Sequence, residues 1–143
     1  MLAAANPFLL TGAALSALAA LLHLLCIVFG ASWYRFFGAG EQMAAMVSKG
    51  HWYPTVVTLF ISAVLAVWSL YALSGAGLLP KLPLTRLALC AITGVYLLRA
   101  LSFPALMPLI PGNSMTFWLW SSAICLVIGS VHLIGLRQVW AQL

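Results

Sequence analysis

Four long apolar stretches, separated by segments rich in Gly, Pro and aromatic residues, set the pattern of this chain. The first, about 7–30, is interrupted only by Thr11, Ser16 and His23. At 1.5 Å per residue it reaches roughly 36 Å, more than the ~30 Å hydrocarbon core of a bilayer. The second, about 54–74, opens with Pro54 at a first-turn position and closes at Gly75, Gly77 and Pro80. The third, about 84–103, contains Arg99 and is stopped by Pro104. The fourth, about 114–136, follows a turn of Pro108, Pro111, Gly112 and Asn113 and ends at Arg137. The connections at 75–84 and 104–113 are short, so consecutive helices are expected to be antiparallel neighbours.

Composition explains why these runs cross a bilayer rather than fill a soluble core. Of 143 residues, 65% are hydrophobic and 5% charged, against about 25% charged in a soluble domain. The expected fold is all-α: a four-helix transmembrane bundle forming a single integral membrane domain over 1–143, with both termini on one side. Residues 1–6 carry no Lys or Arg. The first run also far exceeds a signal-peptide core of roughly 7 to 15 residues, so a retained helix is expected.

The six Lys and Arg give a net charge of +5. Lys81, Arg86 and Arg137 fall on the side of the termini, and Arg35, Lys49 and Arg99 on the other. Arg99 sits inside a span and counts for less, which leans both termini towards the cytoplasm. Scattered basic residues suit anionic headgroups, making membrane lipids a partner, and do not form the clustered patch that nucleic acid requires.

Residues 31–53 form the one longer connection, too apolar and aromatic to extend into water. Trp33, Tyr34, Trp52 and Tyr53 suit headgroup depth, Gly38 and Gly40 permit a turn, and Glu41 to Lys49 predicts a short interfacial helix between the first two spans. Glu41 in its first turn and Lys49 in its last match the helix dipole.

Small and hydroxyl residues mark helix contacts in lipid. Helix 1 has Gly12, Ser16 and Ala20, with His23 on the same face; helix 2 has Thr55, Thr58, Ser62 and Ser69; helix 4 has Ser122, Cys125, Gly129 and His132. Depth along the helices brings His23, Arg35, Glu41, His51 and Arg99 towards one membrane face, with Tyr34, Trp52, Tyr53 and Tyr96 as neighbours. Glu41, the only acid, is expected to pair with Arg35, Arg99 or a histidine. His132 falls near the opposite face and is left out; His23 is expected to matter more to the bundle than His132.

Two readings of this cluster stay open: an ionic network that pins the connection to the bundle, and a ligand site beneath it. The ligand-binding candidates are His23, Tyr34, Arg35, Glu41, His51, Trp52, Tyr96 and Arg99. Their ligand would be a lipid-like or amphipathic small molecule, bound and not excluding a reaction. The alternatives are an accessory subunit joined to other membrane helices or to copies of itself, and, third, a small transporter, disfavoured by four helices with one acid.

His23, Glu41 and His51 lack compact metal-ligand spacing, and His23 and His132 lie too far apart in depth to share a haem, so no metal site is expected and no cofactor is assigned. Cys26, Cys90 and Cys125 read as small buried residues. Met43 and Met46 serve to grip the membrane. Phosphate loops, nucleophile elbows and carboxylate pairs are missing, which removes most familiar enzyme classes.

The strings Trp33-Tyr34-Arg35-Phe36-Phe37-Gly38-Ala39-Gly40-Glu41 and His51-Trp52-Tyr53-Pro54 resemble segments of small four-helix inner-membrane proteins of bacteria. The resemblance covers the whole chain and implies an inner-membrane location, but brings no activity with it. Size and span count are also similar to microsomal glutathione transferases and sterol isomerase-like bundles, whose Glu-Arg and multi-acid patterns are missing here.

Overall fold

The computed structural model describes residues 5–143, and among them every regular element is helical. Helix α1 spans Pro7–Phe29. Asn6 caps it by accepting the Leu9 N–H at 3.0 Å, and Pro7 occupies the first position, where no N–H is needed. Gly30, at φ 81°, ends it in a conformation that a Cβ would strain. The connection then folds as two short helices, α2 (Ala31–Phe36) and α3 (Glu41–Ser48), where one was expected.

Helices α4 (Trp52–Gly75), α5 (Thr85–Leu101), α6 (Phe103–Leu106) and α7 (Met115–Val139) follow. The third apolar run thus breaks at Ser102 rather than continuing to 103. Pro104 sits in the first turn of α6, where a proline is tolerated, so it marks a restart as well as a stop. Ser114 Oγ caps α7 through the Phe117 N–H at 3.1 Å.

Three helices are long and apolar enough to cross a membrane: Pro7–Phe29, Trp52–Gly75 and the last, Met115–Gln142 with its closing 3-10 turn. Their outward faces carry Leu18, Leu21, Phe60, Leu70, Leu126 and Val127, all exposed. A water-soluble monomer does not present apolar surface on that scale.

Small residues set the helix contacts. Ser62 and Ser69 of α4 donate to the Ala20 and Ala13 carbonyls of α1, each at 2.8 Å, which requires close approach of the two backbones. Gly129 of α7 lies against Leu97 of α5, and Gly12 of α1 against the His132 ring of α7. The buried core draws on α1 (Leu9, Ala13), α4 (Leu65, Ala72), α5 (Leu89, Ile92, Tyr96) and α7 (Ile128, Leu136).

Contacts at the two ends fix which connections lie together. At one end the Asn6 N–H donates to Ala76 O at 2.9 Å and its side chain donates to Gln138 at 2.8 Å, joining the start of α1 to the ends of α4 and α7. At the other end Asn113 donates to Gly38 O at 3.1 Å, and Gly38 packs directly on the Phe117 ring. The α2–α3 segment is therefore held down by the start of α7.

Candidate functional site

A cavity of about 210 Å³ lies beneath the α2–α3 segment, between it and helices α1 and α4. His23 and Cys26 of α1, Tyr34 and Met43 of the connection, and Thr58 and Ile61 of α4 are among its walls. The segment roofs the cavity because Gly38 and Gly40, at φ 78° and 94°, turn the chain between α2 and α3, and Tyr34 anchors α2 from within. Tyr34 is buried; its hydroxyl donates to Pro54 O at 3.3 Å and accepts from Thr58 Oγ1 at 2.9 Å.

His23 Nδ1 lies 2.7 Å from the Ala19 carbonyl of its own helix. A carbonyl only accepts, so Nδ1 carries the proton, and in the neutral ring Nε2 is left as an acceptor. The cavity thus has an apolar wall, a tyrosine hydroxyl already engaged, and one half-buried imidazole with accepting capacity. His23 finds its partner on its own helix, so it does not tie α1 to the connection or to α5.

The other candidates divide among separate surroundings. Arg35 and Glu41 form a two-pronged pair, Nε to Oε2 at 2.9 Å and Nη2 to Oε1 at 2.8 Å. Its side chains are 48% and 65% exposed, so the pair stitches the turn from α2 to α3 on the outside rather than lining the cavity. The hydrogen bond from Arg35, with its charge, holds the Glu41 carboxyl below the usual carboxylate range and raises the guanidinium in return. The expected pairing of Glu41 is met by Arg35, at the surface and not at depth.

His51 and Trp52 are exposed, at the start of α4, and Trp52 meets Tyr53 edge to face. Tyr96 is buried in the middle of the helices, its hydroxyl 2.8 Å from Ser16 Oγ and its ring 5.4 Å from that of His132. Arg99 lies between α5 and α7, reaching Ser121 at 3.2 Å and Ser122 at 3.4 Å, over the face of Trp118. Of the eight candidates, His23 and Tyr34 share the cavity, Arg35 and Glu41 share an ion pair, and the rest stand apart.

His132 keeps its expected depth, against Gly12 near the terminal end of α1, but not its expected lesser part in the bundle. It is wholly buried, Nδ1 donates to Ile128 O at 2.8 Å, and Nε2 has no partner. Its ring lies so close to Gly12 that a Cβ there would stand 2.6 Å from Cε1. The seam of Gly12 and Ser16 on α1 that was read as turning His23 inward accommodates His132 and Tyr96 instead. Cys26, Met43 and Thr58 were missed as cavity residues, although Cys26 follows His23 by three positions, a same-face spacing on a helix. Among the described residues no three His, Cys, Asp or Glu side chains gather as a metal site would need.

The class these features define is a helical membrane protein with a partly open space under an inter-helix segment. Compared with known proteins, the chain matches no family, no curated protein and no solved structure.

Proposed function

We propose that the chain is a four-span, antiparallel integral membrane bundle that holds a small amphipathic molecule in the cavity under α2–α3. Helix α5 serves as the fourth span: its 17 residues cover about 25 Å, and α6 continues beyond it. Both termini face the cytoplasm of a bacterial inner membrane, in keeping with Lys81, Arg86 and Arg137 on that side.

The observation that carries the reading is the cavity with His23 in its wall. An apolar cavity of about 150 Å³ is enough to take up benzene, so about 210 Å³ accommodates one ring with a short alkyl group. The accepting Nε2 of His23 favours a ligand that brings a donor, a hydroxylated ring or an alcohol, over one that brings a carboxylate.

Propylphenol is a suitable probe, with Cys26 as the reporter in a Cys90→Ser, Cys125→Ser background. Propylphenol is expected to slow maleimide labelling of Cys26 in a saturable way, and propylbenzene, which lacks the donor, to do so less well. Ile61→Trp, which fills the space, should remove the protection. Labelling of Cys26 at the same rate with and without propylphenol, up to its solubility limit, refutes the reading.

The accessory-subunit alternative draws on α5, whose outward face exposes Cys90, Ala91 and Gly94. A side chain at Gly94 would meet nothing within 4 Å, leaving room for another helix to approach.

A further inference from the structure

Arg99 is a cation for which the chain offers no counter-charge. The sequence contains one acidic residue, Glu41, and both of its carboxylate oxygens are held by Arg35. The Arg99 guanidinium reaches instead to two hydroxyls, Ser121 Oγ at 3.2 Å and Ser122 Oγ at 3.4 Å. Both are long beside the ~2.9–3.0 Å typical of N–H···O bonds. The guanidinium also lies 5.3 Å from the centre of the buried Trp118 ring. Five donors in a planar fork are thus met by two stretched bonds and a ring face.

Depth makes this shortfall costly. Side chains on a helix lean towards its N-terminus, so Arg99, two residues before the end of α5, leans back along that helix. Ser121 is about 9 Å along α7 from Met115, its first residue. A guanidinium held there needs an anion, and none comes from the protein.

We propose that Arg99, Ser121 and Ser122 bind the phosphate of an anionic phospholipid seated between α5 and α7. Phosphate oxygens match the guanidinium fork bidentately. The Ser121 hydroxyl already donates to Trp118 O at 3.2 Å, whereas the Ser122 oxygen accepts from Arg99 and its proton can turn to a phosphate oxygen. Val95 and Leu98 on α5 and Ile124 on α7 are exposed and lie on the bilayer-centre side of the site in sequence, offering acyl chains a surface that a soluble phosphate would not use. The site lies on different helices from the cavity and stands or falls separately from it.

The full chain in dodecyl maltoside is titrated with palmitoyl-oleoyl phosphatidylglycerol, with the matching phosphatidylcholine, or with inorganic phosphate. The readouts are the melting temperature and the lipid retained in native mass spectrometry. Phosphatidylglycerol is expected to raise the melting temperature and to be retained, and the other two to do neither. Arg99→Gln should weaken the apparent affinity by at least about tenfold, the loss expected for a bond to a charged group. Arg137→Gln, exposed in the last turn of α7, should respond as the native chain does. Should Arg99→Gln fail to fold, the Ser121→Ala, Ser122→Ala double variant is expected to lose about threefold or more. Equal responses of Arg99→Gln and Arg137→Gln, or of the serine double variant and the native chain, would overturn the site as diffuse charge attraction. An equal shift with phosphatidylcholine overturns the anionic requirement, and one with inorganic phosphate assigns the site to soluble anions and removes the lipid.

Discussion

Two histidines make the same local bond and end in opposite surroundings. His23 on α1 and His132 on α7 each donate Nδ1–H to the carbonyl four residues earlier, at 2.7 and 2.8 Å, which leaves Nε2 as an acceptor in both neutral rings. His132 is packed against Gly12 and the Tyr96 ring, and its buried Nε2 has no partner. His23 borders a cavity under a segment that rests on the helices through Tyr34, Gly38 and Asn113. Helix-local chemistry is thus identical at the two positions, and the neighbouring element decides whether the ring packs or is available. A glycine on the facing helix makes the first a packing residue. A roof supported by two positive-φ glycines makes the second a ligand candidate.

The largest expected effect lies on the packed side. Truncating His132 to Ala removes a fully enclosed ring and should cost about 3 kcal/mol in a detergent melt, in the range of large-to-small core changes. His23→Ala enlarges an existing cavity and should cost well under half of that. Similar losses for the two variants, or a greater one for His23, would erase the distinction.

A smaller effect is expected at the roof. Gly38→Ala sets a Cβ into the Phe117 ring at φ 78°, so the connection should lift from α7 at a cost of about 1 to 2 kcal/mol. Limited proteolysis between α2 and α3 should quicken, while the α1–α4 contacts made by Ser62 and Ser69 persist. Unchanged cleavage would show that the roof does not depend on this close approach.

The smallest effect belongs to the ion pair that borders the same segment. Glu41→Gln should leave the melting temperature unaltered at physiological salt, because both partners are solvent-exposed. Glu41 has a carboxyl held low in the folded chain, so any stability from the pair is present above the carboxyl's unfolded pKa. That stability is lost only as pH falls through the lowered folded value. Any difference in melting between Glu41→Gln and the native chain should therefore not vary between about pH 6 and about pH 9, and the exposure of the pair keeps it near zero. A difference between the two across that window would mean that Glu41 carries more of the roof than its exposure implies.

The helices themselves were legible in the sequence, because a bilayer demands long apolar runs and the stop signals are explicit. Asn6, Pro7 and Gly30 bound α1, and Ser114 opens α7, as local backbone chemistry requires. The small-residue seams on α1, α4 and α7 were legible for the same reason: spacing of three and four places residues on one face whatever that face meets. The pairing of Glu41 followed from charge arithmetic, since one acid among six Lys and Arg leaves little choice. Depth along a helix was legible as well, but direction around it was not. Tyr96 and Arg99 on α5 and His23 on α1 are turned towards different neighbours, so similar depth did not make a common site. Only the packing of α1 against α7 decided that Gly12 faces His132, and only the fold of residues 31–48 over α1 and α4 left a cavity beside His23. A sequence specifies local bonds and one face per helix, whereas a cavity and a sealed ring depend on which faces meet, and that is set by all the helices together.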